Sequence, residues 1–297
     1  MSATAAKPRL SQAGLAPTHE VQATDEYGVE HAVQVAGEAP LTIKVDGREV
    51  VTLMTLGTRP EALALGYLRN QRLIENIHDI AEVNVNWDIE TVDVTTTHGE
   101  GIVDWEQKLS QRTVTSGCGQ GTIFSCTVDN IYNTRLPQAE VRQSMVYGLL
   151  TNISAHNEIY KQAGAVHGCA LCHETSILSF VEDVGRHNAA DAIAGEMWLE
   201  GMDGADKWFY TTGRLTSEMV MKAAFMGIPV LLSRSGVTQM GLELAHVVGM
   251  VMIARAKGRH FLVYNGADSI IYDAMPEPRA TLKPTGSTGR RNSFTSS

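Results

Sequence analysis

Apolar and polar residues alternate with period two over residues 29–35 and 41–45, the pattern of half-buried strands. Asp46-Gly47 is a hairpin turn signal, and residues 50–55 read as the return strand. Arg59-Pro60-Glu61 then opens a helix. Proline suits its first turn, where no backbone hydrogen bond is lost, and Leu63, Leu65 and Leu68 follow. Residues 83–85 and 91–97 read as further strands. A helix is expected over residues 141–162, closed by Gly164. Beyond it the pattern becomes strand–helix alternation, with strands at 176–181, 207–210, 229–232, 250–254 and 260–264. One intervening helix carries Ala190, Ile193, Ala194, Met197 and Trp198 on a single face. Two more, at 217–226 and 237–248, are stopped by Gly227 and Gly249. Such repetition predicts a mainly parallel sheet with helices on its faces.

This divides the chain into four parts. Residues 1–20 (Ala, Pro, Ser and Gln) and 276–297 (Pro, Gly, Ser and Thr) bury little apolar surface and are expected to be disordered. Residues 21–140 form a strand-rich N-terminal domain, and residues 141–275 an α/β domain. The first ends in a segment, Gln111-Arg-Thr-Val-Thr-Ser-Gly-Cys-Gly-Gln-Gly121, whose three glycines around one cysteine read as a mobile loop.

With 297 residues, 43% of them hydrophobic and 19% charged, the chain can bury a core without disulfides or metal. A net charge of −9 argues against a protein that coats nucleic acid. No apolar run reaches the ~18 residues of a membrane helix, and no secretory signal is apparent, so cytoplasm is the default compartment.

On this acidic background three strand-to-helix loops share a composition: Asp183-Val-Gly-Arg-His-Asn188, Thr212-Gly-Arg-Leu-Thr-Ser217 and Ser233-Arg-Ser-Gly-Val-Thr238. Ligands of open α/β sheets gather beyond the carboxyl ends of the strands. Helix N-termini offer unpaired N–H donors there, glycine permits close approach, and arginine provides a fork for anions. Arg186, His187, Gly213, Arg214, Ser217 and Ser233 are therefore candidates for holding a polyanion. Ordinary helix capping uses the same residue types and is the alternative. A further basic run, Ile253-Ala254-Arg255-Ala256-Lys257-Gly258-Arg259, lies between two predicted strands and is either part of that pocket or a solvated turn.

Cys118, on the glycine-rich loop near Arg112, is the main nucleophile candidate, because a thiol there can be reached by a bulky partner. Cys126 reads as filler. Cys169 and Cys172, with His167, His173 and Glu174 around them, have the spacing of a zinc clamp or a dithiol, but lack the order a zinc deaminase requires; packing is the simpler reading. His187 and Asp183 could be an acid–base pair or a capping arrangement.

Several of these motifs occur together in one family. Glu182-Asp-Val-Gly-Arg-His-Asn-Ala189, Thr212-Gly-Arg with Ser217-Glu218, Gly227-Ile-Pro-Val-Leu231, Leu242-Glu-Leu-Ala245, the basic run and Val263-Tyr264-Asn265 resemble the FdhD family, accessory sulfurtransferases of formate dehydrogenases. The resemblance implies a C-terminal domain like cytidine deaminase without its zinc site, no structural metal, and a homodimer. It implies a persulfide on Cys118, loaded by a cysteine desulfurase. The sulfur is passed to the molybdenum (or tungsten) bis(molybdopterin guanine dinucleotide) cofactor of the formate dehydrogenase catalytic subunit. It places the contact to that cofactor on residues 253–258, with Arg259 adjoining. The family's loop motif has two cysteines, Cys-Gly-x-Cys-Gly; this chain reads Cys118-Gly119-Gln120-Gly121, leaving Cys118 as the sole carrier there. A chaperone that holds the cofactor without transferring sulfur, or less readily a deaminase-type zinc hydrolase, are the competing functions.

Overall fold

The computed structural model describes residues 7–105, 112–115, 121–124 and 131–277. Its N-terminal part is built on a five-stranded sheet with strand order β1-β6-β7-β4-β5. The strands are β1 (Arg9–Leu10), β4 (Ala39–Val45), β5 (Arg48–Thr55), β6 (Ile80–Asn86) and β7 (Thr91–Thr96). β4 shows why this sequence makes a sheet: Leu41, Ile43 and Val45 are fully buried and the residues between them are not. Two hairpins stand outside this sheet, β2 (Thr18–Thr24) with β3 (Glu30–Ala36), and β8 (Arg112–Thr115) with β9 (Gly121–Phe124).

Residues 7–20, expected from composition to be disordered, are instead fixed. The Ser11 hydroxyl and the Ala13 N–H both donate to Glu61, at 2.6 and 2.8 Å. The Trp87 indole N–H donates to the Ala13 carbonyl, and Leu15 N–H to Gly57. These bonds, the pairing of β1 with β6 and the seating of Leu10 and Ala13 against the core hold the segment, and all of these partners are distant in sequence, which composition does not register.

Helix α1 (Pro60–Asn70) lies between this sheet and the second half of the molecule. It crosses α4 (Arg186–Glu200) with the backbones almost touching. A Cβ on Gly66 would sit 1.7 Å from the Asp191 carbonyl oxygen, and one on Gly195 would sit 1.9 Å from that of Ala62. Only glycine fits at both points.

The second half is a six-stranded sheet of order β12-β11-β13-β14-β15-β16. Its strands are β11 (His167–His173), β12 (Ser176–Asp183), β13 (Trp208–Thr211), β14 (Val230–Ser233), β15 (Val251–Lys257) and β16 (His260–Asn265). The expected mainly parallel sheet is in fact mixed: β13, β14 and β15 are parallel, while β11 and β12 form an antiparallel hairpin on one side and β16 returns antiparallel on the other. One face packs on α4, α5 (Ser217–Phe225) and α6 (Gln239–Val248), in a core continuous with that of the N-terminal sheet. The other packs on α2 (Gln143–His156) through Val146, Leu149 and Ile153. The α/β class is thus as expected, with helices on both faces. A short parallel pair, β10 (Val141–Arg142) with β17 (Ile270–Ile271), closes α2 against the C-terminal segment.

The helix expected over residues 141–162 is two, α2 and α3 (Glu158–Ala163). The Glu182 carboxylate on β12 takes the amides of Ile159 and Tyr160, both at 2.9 Å, and starts a new helix at that point. Among the described residues no helix is long and apolar enough to cross a membrane.

Candidate functional site: an arginine-lined sheet edge

Strand direction decides where the chemistry gathers. β12 and β13 are each antiparallel to β11, so they run the same way, and β14 and β15 are parallel to β13. The carboxyl ends of all four lie along one edge, which brings the three loops and the basic run together. The N-terminal residue of β11, His167, pairs with Asp183 and reaches the same edge.

The loops are zipped to one another. Ser233 Oγ donates to the Gly213 carbonyl at 2.6 Å and accepts from Ser235 N–H at 2.9 Å. Leu215 and Gly236 are joined by a backbone bond, as are Thr238 and Leu215, and Arg255 N–H donates to Ser235. Thr212 Oγ1 accepts from Gly168 N–H and lies 3.1 Å from His167 Nδ1. The helix starts behind these loops separate the two readings of their composition. Gly185 and Thr216, at the N-caps of α4 and α5, make no side-chain capping bond, whereas Thr238 caps α6 through Gly241 N–H. Side-chain capping is thus made at Thr238, is absent at Thr216, and gives way to a glycine cap at Gly185.

Arg186 is buried, and its Cδ occupies the space a side chain on Gly213 would need: a Cβ there would fall 2.4 Å away. Arg214, Arg234 and Arg255 are exposed along the edge. Arg255 sits in a β-bulge at φ +54°, a left-handed conformation unusual for arginine. Arg234 lies over the Tyr160 ring at 5.4 Å. Among these cations the two histidines are neutral. Burial and then Arg186, Arg234 and Arg214 push the His167 pKa down. Burial, then Lys222 and Arg186, push that of His187 down to about 2.

His187 and Asp183 are not an acid–base pair. His187 Nδ1 lies 3.2 Å from Glu218 Oε1 on α5, with side-chain exposures of 17% and 8%. Asp183 instead accepts from Thr55 Oγ1 (2.5 Å), Leu56 N–H, Gly185 N–H and Asn188 Nδ2, so it staples the loop to the end of β5. Burial raises its pKa against the pull of those four donors. Below the edge, Lys222 Nζ lies 2.5 and 2.7 Å from the two Asp191 oxygens, and Asn70 Nδ2 completes the group at 2.8 Å. Glu218, Thr55 and Asp191 carry no local sequence signal for this role, because their partners are distant along the chain.

The basic run divides. Ile253, Ala254 and Ala256 are buried in the sheet, so their side chains are closed to a ligand. Strand β15 continues through Lys257, and only Gly258 and Arg259 form the turn expected to hold the whole run. Arg259 lies over Tyr147 at 5.3 Å, on the α2 face. Ser217 opens α5, half-buried.

Cys118 and Cys126 lie outside the described residues. Cys169 and Cys172 are buried on opposite faces of β11, one in each core, and burial pushes both thiols up to about 12. Facing apart, they cannot share a metal ion, which removes the zinc hydrolase. As thiols rather than thiolates they are poor nucleophiles.

A family model described as FdhD/NarQ matches residues 36–271. Among similar curated proteins, the sulfur carrier protein FdhD of Bacillus subtilis is 29% identical over 235 residues, covering 78% of this chain and 88% of that protein. The protein of the same name from Listeria monocytogenes is 29% identical over 244 residues, covering 80% and 91%. A solved structure described as a formate dehydrogenase accessory protein, from Desulfotalea psychrophila, superposes with a TM-score of 0.67 at 25% identity, covering 86% of this chain and 98% of that one.

Proposed function

The chain belongs to the FdhD/NarQ family, and from that premise we propose that it is a sulfur carrier serving formate dehydrogenase. On this reading Cys118 carries sulfur as a persulfide from a cysteine desulfurase to the molybdenum or tungsten bis(molybdopterin guanine dinucleotide) cofactor before its insertion. Loading is an exchange in which the Cys118 thiolate attacks the outer sulfur of the donor persulfide. One S–S bond forms, another breaks, and the donor leaves as thiolate, with no net oxidation. The cofactor is cargo, and its guanine dinucleotide arms present pyrophosphates.

The observation that carries the proposal is the convergence of Arg186, Arg214, Arg234 and Arg255 on one sheet edge of a chain with net charge −9. Guanidiniums and helix-start amides suit pyrophosphate oxygens. His167 and His187, held neutral, add polar contacts without further charge. The test is mass spectrometry after incubation with a cysteine desulfurase and cysteine. One added sulfur, ~32 Da, is expected on Cys118 and is lost in Cys118→Ala. Unmodified Cys118 overturns the carrier. The runner-up, a chaperone that only holds the cofactor, is favoured by the inertness of Cys169 and Cys172. It predicts guanine-nucleotide binding and formate dehydrogenase maturation that both survive Cys118→Ala.

A further inference from the structure

His167 and Thr212 meet where β11 reaches the arginine edge. Thr212 is 8% exposed and is tied twice to Gly168. Its N–H donates to the Gly168 carbonyl at 2.9 Å, and its Oγ1 accepts from Gly168 N–H at 3.1 Å. These bonds carry the pairing of β11 with β13 one step past Thr211 and hold the hydroxyl in place. His167 Nδ1 lies 3.1 Å from the same Oγ1. His167 is half-buried, and its Nε2 bonds to no described residue.

The bonds decide which ring nitrogen carries the proton. A hydroxyl has one hydrogen to give and accepts through its lone pairs. Were Nδ1 protonated, Oγ1 would receive two donors, and its own hydrogen would have no acceptor among the described residues. That is costly at a buried position. With Nδ1 bare the chain closes: Gly168 N–H donates to Thr212 Oγ1, the hydroxyl donates to Nδ1, and the proton of the neutral ring sits on Nε2. The surroundings keep the ring neutral. Arg186 on α4, Arg234 beyond β14 and Arg214 beyond β13 all act against a second proton, and the neighbouring His187 is neutral too. Asp183, the register partner on β12, is already engaged by Thr55, Leu56, Gly185 and Asn188, so that carboxylate is not available to stabilise an imidazolium.

We infer that His167 is a neutral N–H donor to the anion held at this edge, and that Thr212 is the positioning residue that fixes its tautomer. Both roles rest on the proposed anion site at the arginine edge. An uncharged donor differs from a cation in one measurable way: its contribution does not fade as pH rises through the ordinary histidine range. Calorimetric titration of inorganic pyrophosphate into the full chain, from about pH 6 to about pH 8, tests this. His167→Phe is expected to weaken binding about tenfold at both ends of that range, and His167→Gln, which keeps a side-chain N–H, to restore most of it. Thr212→Val replaces the hydroxyl by a methyl at nearly unchanged shape. Its effect on binding is expected to vanish when residue 167 is already Phe, whereas a purely structural threonine would weaken both backgrounds equally. Equal weakening in the two backgrounds, or a His167→Phe chain that binds like wild type, overturns the two roles and leaves the anion site standing. A wild-type chain that binds no pyrophosphate overturns the anion site and the two roles with it; sulfur loading of Cys118 is a separate measurement. Should Thr212→Val fail to fold, long-range proton–nitrogen NMR correlation of the wild-type His167 ring decides. A bare Nδ1 and a protonated Nε2 across the range support the roles, and a protonated Nδ1 overturns them.

Discussion

The two ends of the six-stranded sheet hold different things. At the carboxyl ends of β12 to β15 stand four arginines, two neutral histidines and two helix starts without side-chain caps. At the other end lie two hollows. One, of about 790 Å³, is lined by Arg135, His246, Asn265 and Asp268 among others. A second, of about 400 Å³, lies across residues 138–140 and is lined by Glu140, Lys207 and Trp208. Their charges are mixed, and nothing there concentrates one sign. One sign of charge converges only at the arginine edge among the described residues, and that is the feature an anion would select.

The sharpest way to break this contrast is to remove the charge pair beneath the arginine edge. Lys222→Met leaves Asp191 buried and uncompensated and is expected to cost about 3–5 kcal/mol in a urea titration. His246→Ala at the opposite end is expected to stay within about 0.5 kcal/mol. A mild Lys222→Met would show that the underpinning is not special to this edge.

Two glycines on the edge give a finer test. Gly213→Ala drives a methyl into Arg186 and is expected to cost about 1–3 kcal/mol, with loss of anion affinity. Gly236→Ala meets only the Arg255 guanidinium, at an ordinary 3.5 Å, and is expected to be tolerated within about 0.5 kcal/mol. Equal effects would mean that Arg186 is not held by the space at Gly213.

Acid is expected to act on the same end. The folded-state pKa of His187 lies below its unfolded value of 6.5. The unfolded chain therefore takes up the proton first, and the contribution of His187 is fully present above 6.5 and lost as pH falls toward 2. Between pH 6.5 and 5 this slope is about 1.4 kcal/mol per pH unit, or about 2 kcal/mol in all. His187→Gln is expected to flatten it, and an unchanged slope would place the titration elsewhere. The smallest expected effect is at Cys169 and Cys172, which should resist alkylation in the native protein. Rapid labelling of either would show that the sheet opens.

Much of this end is legible in the sequence. The Gly-Arg-Ser loops announced a donor-rich edge, and local alternation located most strands, because both signals are contained within a few residues. Strand order was not legible. The pairing of β11 between β12 and β13 is a tertiary choice, and it turned an expected parallel sheet into a mixed one. The partner of His187 was missed for the same reason: Glu218 lies on another helix, while the nearer Asp183 is occupied by Thr55, which is 128 residues away. The order of residues 7–20 was missed because its anchors, the pairing of β1 with β6, the bonds to Glu61 and Trp87 and the seating of Leu10 and Ala13 on the core, all lie far along the chain, where composition does not reach.

Calorimetric titration of GDP, standing for one arm of the proposed cargo, compares the two ends most directly. Arg214→Glu/Arg234→Glu is expected to weaken binding by at least about tenfold and Arg135→Glu to leave it unchanged. Binding that survives reversal of the two edge arginines and is abolished by Arg135→Glu would contradict an anion site at the arginine edge.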